Sequence, residues 1–306
     1  YDEATVTSAD KDALVQLNDD IYALALTDNV TAEEKENLQA AHDKVFALID
    51  KLVGISDEIK RITEKVDAYV FESVKSSDKA DIQQLIADIK ALLDTQNLTA
   101  DERTILETAD ETCDKLIAKI DETVAEINRI DEATNTYDEA TVKYSDYKDI
   151  LQLIDGIKAL TDGQNITDDE RASLEELNTK ANLLAAKIRS TADEISRITR
   201  AVNTYNIDTV KSSDKADIEN LIARIKKLTD GDNITSDERI NLNELDSTLD
   251  ALLAKIDDTT AEIERIDEAV SGTGETQEFY KVYSLIIIIS FFSIDLLQQF
   301  RKFFIG

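Results

Sequence analysis

The chain consists of four copies of one segment, and successive copies begin 68 positions apart. Each copy opens on a tyrosine: Tyr1, Tyr69, Tyr137 and Tyr205. The strings EIKRI, EINRI, EISRI and EIERI recur at one place in the four copies. A fixed period of this kind predicts a tandem array whose units bury apolar faces against their neighbours. We therefore divide the chain into helical repeats 1–68, 69–136, 137–204 and 205–270.

The apolar residues of each repeat are spaced for helices. They recur in steps of three and four, which align on one helix face. In the second repeat a first helix, of about 17 residues, carries Ile82, Leu85, Ile89 and Leu92. Proline, which breaks helix interiors, is absent from all 306 residues. The sequence predicts an all-α fold, with a polar turn after the first helix whose Asn and Gly residues accept positive φ.

A second helix begins at the same position in every repeat. Its start is marked by Thr followed three residues later by Glu, the pattern of a reciprocal capping box. The four pairs are Thr31/Glu34, Thr99/Glu102, Thr167/Glu170 and Thr235/Glu238.

Where this second helix ends is left open by the sequence. Its apolar stripe continues for more than 20 residues, which favours one helix of about 35 residues, roughly 50 Å long. A second Thr-x-x-Glu pattern, as at Thr123/Glu126, favours a separate third helix. The first alternative predicts a staggered rod of spectrin type, and the second a row of compact three-helix bundles. Both give an elongated molecule.

The net charge of −31, from 65 acidic and 34 basic residues, argues against nucleic acid as a partner. It also favours a monomeric rod, because copies of the chain repel one another. The one histidine, His42, takes a place held by Asp or Asn in other repeats, and Cys113 takes an apolar place. We predict no enzymatic activity, no catalytic residue and no cofactor, because a repeated sequence offers no convergent set of unlike groups.

The turn after the first helix is the remaining candidate for a ligand site. In "TDGDNITSDE" the residues Asp230, Asp232 and Asp237 fall out of EF-hand register, so a turn and a helix cap explain them better than calcium. Asn-x-Thr occurs in all four turns, formally a glycosylation acceptor. Turn and cap explain this pattern also. The four asparagines are Asn29, Asn97, Asn165 and Asn233.

The pattern changes after the fourth repeat. Residues 271–281 form a polar linker, and residues 282–306 are a hydrophobic segment with a basic end. The uncharged run from Val282 to Ile294 is shorter than a typical membrane-spanning helix. With Arg301 and Lys302 as its cytoplasmic flank, the segment is predicted to be a membrane anchor that leaves the repeats outside the cell.

Several strings resemble the helical-repeat stalks of Gram-positive, cell-wall-anchored surface proteins, especially those of clostridia-like bacteria. They are YDEATVK at Tyr137, SSDKADI at Ser76 and Ser212, and turns such as NLTADER and NITSDER. The tail is arranged like a sortase sorting signal: a short motif, a hydrophobic run and a basic end. In place of Leu-Pro-x-Thr-Gly it reads VSGTGE, without the proline, and the resemblance implies cleavage between Thr273 and Gly274.

Together these features predict a non-enzymatic stalk that projects another module from a bacterial surface. The alternative is a repeat-based adhesin that captures an extracellular host protein. A shared exposed apolar patch in all four repeats would favour the adhesin. Candidates such as Tyr22, Phe46, Tyr144 and Tyr147 do not recur from repeat to repeat.

Overall fold

The computed structural model describes residues 1–271, and these residues are all-α, as predicted. Short and long helices alternate, and each short helix follows a single 3-10 turn. The eight helices are α1 (Lys11–Ala25), α2 (Ala32–Asp67), α3 (Lys79–Leu93), α4 (Ala100–Asn135), α5 (Tyr147–Asp162), α6 (Asp168–Val202), α7 (Lys215–Thr229) and α8 (Ser236–Ser271). Between residues 1 and 271 there is no β-strand.

Contacts divide the chain into two compact units. The first comprises Tyr1–Asp138 and Asp146–Ala185, and the second comprises Glu139–Ser145 and Ala186–Gly306, of which residues up to 271 are described. Each unit thus combines helices from more than one repeat.

The long helices run without a break through the place where the second Thr-x-x-Glu pattern predicted a new start. Thr123 lies in the interior of α4, where its hydroxyl donates to the Lys119 carbonyl at 3.0 Å, one turn earlier. Glu126 pairs with Arg129 at 2.7 Å. Because Thr123 bonds backward within an existing helix, it caps nothing. The alternative of a separate third helix is wrong for this element.

The predicted capping boxes at the starts of the long helices are confirmed. The Glu34 amide donates to the Thr31 hydroxyl at 3.3 Å, and the Thr31 amide donates to the Glu34 carboxylate at 2.8 Å. The same reciprocal pair forms at Thr99, Thr167 and Thr235. Two free amides of the first turn are satisfied in each case.

The expected positive φ in the turn after the short helix is wrong. Among residues 1–271 no residue has positive φ, and Gly163 has φ −77° and ψ 170°. In the second repeat an arginine bonds the end of the short helix. Arg103 Nη1 donates to the Leu93 carbonyl at 2.8 Å, and its Nη2 donates to the Thr95 carbonyl at 3.0 Å. A left-handed residue is not needed to bond these carbonyls.

The same arginine contact recurs in the next two repeats. Arg171 donates to the carbonyls of Thr161 and Gly163, and Arg239 donates to those of Thr229 and Gly231. The first repeat has Lys35 at this position.

The core is built from helix halves. We call the part of each long helix that follows its cap the leading half, and the part that contains the Glu-x-x-Arg pair the trailing half. The trailing half of α2 contributes Ile62 to a buried cluster that also contains Leu85 of α3 and Leu106 of the leading half of α4. A similar cluster joins Ile130 of α4 with α5 and the leading half of α6. In the second unit, Ile198 of α6 lies with residues of α7 and α8.

Candidate functional site

The most regular polar structure in the chain is the segment that opens each repeat. We call it the joint: residues 1–6, 69–74, 137–142 and 205–210. In the first joint the chain folds over Asp2, whose carbonyl accepts from the amides of Thr5 at 3.1 Å and Val6 at 3.0 Å. Val6 is buried with residues of α1 and α2. The joint is therefore a short hydrogen-bonded turn that packs on the two helices of its own repeat.

The turn asparagine of the following repeat binds two carbonyls of the joint. Asn97 Nδ2 donates to the Glu3 carbonyl at 3.0 Å and to the Val6 carbonyl at 2.7 Å. The side chain of Asn97 is only 5% exposed. Both acceptors belong to the backbone, so the contact does not depend on which side chain the joint carries.

This contact is repeated at the same register twice more. Asn165 donates to the carbonyls of Phe71 at 3.0 Å and Val74 at 3.4 Å. Asn233 donates to the carbonyls of Glu139 at 2.8 Å and Val142 at 3.2 Å. In all three cases the acceptors lie 94 and 91 positions before the asparagine.

A second polar contact joins the helix cap of one repeat to the preceding repeat. Ser76 donates its hydroxyl proton to the Glu170 carboxylate at 2.6 Å. Burial acts to raise the pKa of Glu170, but the hydrogen bonds from Ser76 and Thr167 outweigh it and the pKa is lowered. The pKa of Glu102 is lowered in the same way, against burial, by hydrogen bonds from Thr99 and Ser8. The cap glutamate thus serves its own helix and the 3-10 turn of the preceding repeat.

Sequence reasoning assigned the asparagine to the turn and missed its contact with the joint. The available signal was that Asn occupies this place in all four repeats, whereas the preceding turn position is Asp in two repeats and Gln in the other two. A turn alone accepts Asp or Gly as well as Asn. Of these three turn residues, only Asn has a side chain that supplies two N–H donors to two carbonyls.

One groove in the second unit departs from the repeat pattern. It is lined by Lys187, Arg197, Arg224 and Lys227 around Glu194. The positions of Arg224 and Lys227 are held by glycine and alanine in the third repeat, and by aspartate and alanine in the second. Arg224 Nε lies 2.8 Å from Glu194 Oε1, and this hydrogen bond lowers the pKa of Glu194.

Four cations around one carboxylate give this groove a positive charge within an acidic chain. Such a place attracts anions.

The one cysteine and the one histidine of the chain, Cys113 and His42, both pack against neighbouring residues. Cys113 is fully buried, and burial followed by the charges of Asp110 and Asp114 raises its pKa to about 11. The prediction of a small core residue is confirmed. His42 stacks on Phe46 with ring centroids 6.2 Å apart, and its Nδ1 lies 3.5 Å from the Asp43 carboxylate.

The remaining predictions concern a metal site, a membrane anchor and a cleavage site. Residues 1–271 contain no group of three or more His, Cys, Asp or Glu side chains placed to hold a metal ion. Within the same range, no helix combines the length and the apolar character needed to cross a membrane. The predicted cleavage residues Thr273 and Gly274 and the anchor flank Arg301 and Lys302 lie outside the described residues.

Comparison with protein-family models, with curated proteins and with solved structures found no match for this chain.

Proposed function

We propose that the chain is a non-enzymatic spacer, in which staggered three-helix repeats stack into an elongated stalk of a bacterial surface protein. One observation carries this proposal: three successive repeats bind the joint before them through the same asparagine contact. A unit that meets each neighbour in the same way adds a fixed step along an axis.

The composition of the buried clusters supports the stagger. Three of the buried clusters combine the trailing half of one long helix with the short helix and the leading half of the next repeat. The second, third and fourth repeats thus each share a cluster with a helix half from the repeat before them, which supports a stagger of the spectrin type.

Distances between equivalent positions in successive repeats test the stalk. Exposed residues at one repeat position offer matched label sites: Glu36, Thr104, Ala172 and Ile240. With Cys113→Ala as background, pairs of cysteines bearing spin labels would be measured by pulsed electron paramagnetic resonance. We expect the distance to grow by about 25 Å with each repeat, from about 17 residues of helical advance.

The Cys113→Ala background introduces a residue that the chain already has at this repeat position, Ala181 of the third repeat. A distance from position 36 to position 240 that is shorter than the distance from 36 to 172 contradicts the stalk.

The proposed attachment to the cell surface rests on the sequence of the tail. We propose that residues 282–306 retain the chain in the membrane or lead to linkage with the cell wall. In a Gram-positive host that exports the full chain, replacing Thr273 and Gly274 by alanine distinguishes the two routes. Loss of wall-linked protein supports the sorting signal, and unchanged membrane retention that depends on Arg301 and Lys302 supports an anchor.

The second candidate, a binding module, is favoured by the basic groove of the fourth repeat. We propose that its ligand presents an anionic group such as a carboxylate or sulfate to Arg224 and Lys227. The double variant Arg224→Gly and Lys227→Ala restores the residues of the third repeat and is therefore a matched change. Titration with inorganic sulfate, followed by NMR, should shift the Arg224 side chain in the parent protein. Absence of a shift at this groove contradicts the candidate.

A further inference from the structure

One position of the short helix faces the Glu-x-x-Arg pair of the preceding repeat. The three residues that take this position differ in charge: Asp88, Gly156 and Arg224. The Asp88 carboxylate accepts from Arg61 Nη2. At Gly156 an added Cβ would lie 3.9 Å from Glu126 Oε1. Arg224 Nε donates to Glu194 at 2.8 Å. The same kind of pair therefore meets an acidic, a neutral and a basic neighbour.

The basic neighbour opens the pair that it faces. In three long helices the arginine of the pair donates two hydrogen bonds to its own glutamate: Arg61, Arg129 and Arg265. In α6 the glutamate is bound by Arg224 instead. Among the arginines of residues 1–271, Arg197 is the one that makes neither a hydrogen bond nor an ion pair. Arg224 has thus released the Arg197 guanidinium into the groove.

Two lysines add unpaired charge beside Arg197. Lys187 and Lys227 line the same groove, and in the described part of the chain neither forms an ion pair. The pKa of the groove carboxylate is lowered first by the hydrogen bond from Arg224 and then, against burial, by the charges of Arg224, Arg197 and Lys227. Four cations and one carboxylate leave a formal charge of +3 among the lining residues. The lining side chains therefore do not neutralise one another.

We propose that Arg197 binds a tetrahedral oxyanion in this groove, the group that phosphate esters and sulfate esters share, and that Arg224 is a positioning residue that holds Glu194 away. The guanidinium fork matches two oxygens of such a group. A carboxylate has no further oxygen, whereas phosphate and sulfate offer more to Lys187 and Lys227. This inference rests on the binding candidate proposed above, and it moves the principal ligand contact from Arg224 to Arg197.

Titration of the full chain with inorganic sulfate tests the assignment. The ionic strength is held constant, because salt screens exposed charges. NMR of the arginine Nε–H groups reports on each guanidinium separately. We expect a saturable shift at Arg197 and a smaller shift at Arg224, since its Nε stays on Glu194. A larger shift at Arg224 overturns this inference and leaves the binding candidate in place, whereas absence of a shift at both arginines overturns both.

Arg197→Gln removes the proposed ligand contact. It should weaken sulfate binding at least about tenfold, the effect of losing a hydrogen bond to a charged group. Arg200→Gln is the matched control, because it removes the same charge from α6 at an exposed residue that bonds the Ser196 carbonyl. This control should bind sulfate like the parent. Equal weakening by the two variants would show a general charge effect and overturn the inference.

A pair of variants tests the positioning role of Arg224. Arg224→Gly introduces the residue of the third repeat, so Glu194 should close on Arg197 and sulfate binding should weaken. Adding Glu194→Gln removes the closing carboxylate and returns the formal charge of the lining to +3. The double variant should therefore bind sulfate like the parent, although Arg224 is absent. A double variant as weak as Arg224→Gly would identify Arg224 as the ligand residue and overturn the assignment to Arg197.

Three further anions test the class of ligand. Methyl phosphate and methyl sulfate represent the two ester sources, and the one that binds more tightly identifies the source. Acetate offers only two oxygens, so we expect it to bind at least about tenfold more weakly than sulfate. Acetate that binds as tightly as sulfate and the two esters overturns the tetrahedral class.

Discussion

At the scale of single residues, the asparagine after the short helix has two structural roles, and the sequence indicates only one of them. It lies in a turn, and its amide group reaches backbone carbonyls of the preceding repeat. Position 29 provides an internal comparison, because Asn29 occupies the same place in its repeat and is exposed.

We predict that Asn97→Ala loosens the first joint, because it leaves the Val6 carbonyl without this donor, while the Glu3 carbonyl keeps its hydrogen bond from Lys51 Nζ at 2.8 Å. An unpaired buried carbonyl costs about 1–3 kcal/mol. The Thr5 and Val6 amides donate to the Asp2 carbonyl, so their hydrogen-exchange rates measure the free energy of this local opening. In dilute protein Asn29→Ala should change exchange by no more than a few tenths of a kcal/mol. Equal effects of the two variants would show that the asparagine acts only through its turn.

We predict that the contact between Glu170 and Ser76 becomes less stable in acid. The folded-state pKa of Glu170 is lowered from 4.5, so its contribution is complete above the unfolded value. That contribution is lost as the pH falls through the lower folded value. Glu170→Gln should cost about 0.3–1 kcal/mol at pH 7, the usual worth of a negative charge at a helix start. The cost should vanish once the pH is below the lowered folded-state pKa.

Urea unfolding of Glu170→Gln at neutral and acidic pH measures this difference. Glu34→Gln is the control, because Glu34 caps α2 in the same way but is fully exposed. If the free energy of unfolding of the parent and of Glu170→Gln differed by the same amount at every pH, the role assigned to the Glu170 carboxylate would be contradicted.

At the scale of elements, the sequence predicted the starts of helices better than their ends. Thr31/Glu34 and its repeats carry a complete local signal, since the two residues satisfy each other's amides. Thr123/Glu126 carries the same letters but lies inside α4. What decides between them is whether residues 119–122 are already helical, and the continuous apolar stripe determines this through contacts with other helices.

The end of the short helix could not be predicted for a related reason. Its carbonyls are bonded by Arg103, Arg171 and Arg239, which lie eight to ten residues further along in another helix. A turn pattern read only from neighbouring residues gave positive φ instead.

We predict opposite effects for the two kinds of threonine. Thr99→Ala removes a true cap and should cost about 1 kcal/mol. Thr123→Ile introduces the residue that the first repeat has at Ile55, and it should be neutral or stabilising because no cap is lost. Thr123→Pro should cost about 3 kcal/mol or more, since it breaks an interior turn of helix. Thermal unfolding compares the three variants. A loss with Thr123→Ile similar to that with Thr99→Ala would indicate a helix start at Thr123.

At the scale of the whole molecule, the helical spacing within each repeat predicted which residues fill the cores. Positions such as Ile82, Ile150 and Ile218 follow from helical spacing and are fully buried. The uncovered faces of Leu17 and Ile266 carry the same pattern as buried residues, so spacing could not distinguish them. Their exposure depends on position within the array.

We predict that removing residues 69–136 leaves a folded protein. The contacts between the first and third repeats would then use Asn165 with the carbonyls of Glu3 and Val6, a pair with the same register as Asn97 now has. Removal of 69–102, half a repeat, should abolish cooperative unfolding by mismatching helix halves. Circular dichroism and urea unfolding of the two deletions test this expectation. A 69–136 deletion that fails to fold cooperatively would contradict it.

The backbone contact of the turn asparagine has a consequence for the gene. Because the acceptors are carbonyls, Glu3, Phe71 and Glu139 are interchangeable at the joint, and their codons are free to diverge. Unequal crossing-over between any two equivalent codons then keeps the reading frame open. In the resulting protein, each repeat can form the asparagine contact with the joint before it. Variants of such a gene would differ in length by whole multiples of 68 codons, and natural selection could adjust that length without first having to invent an interface.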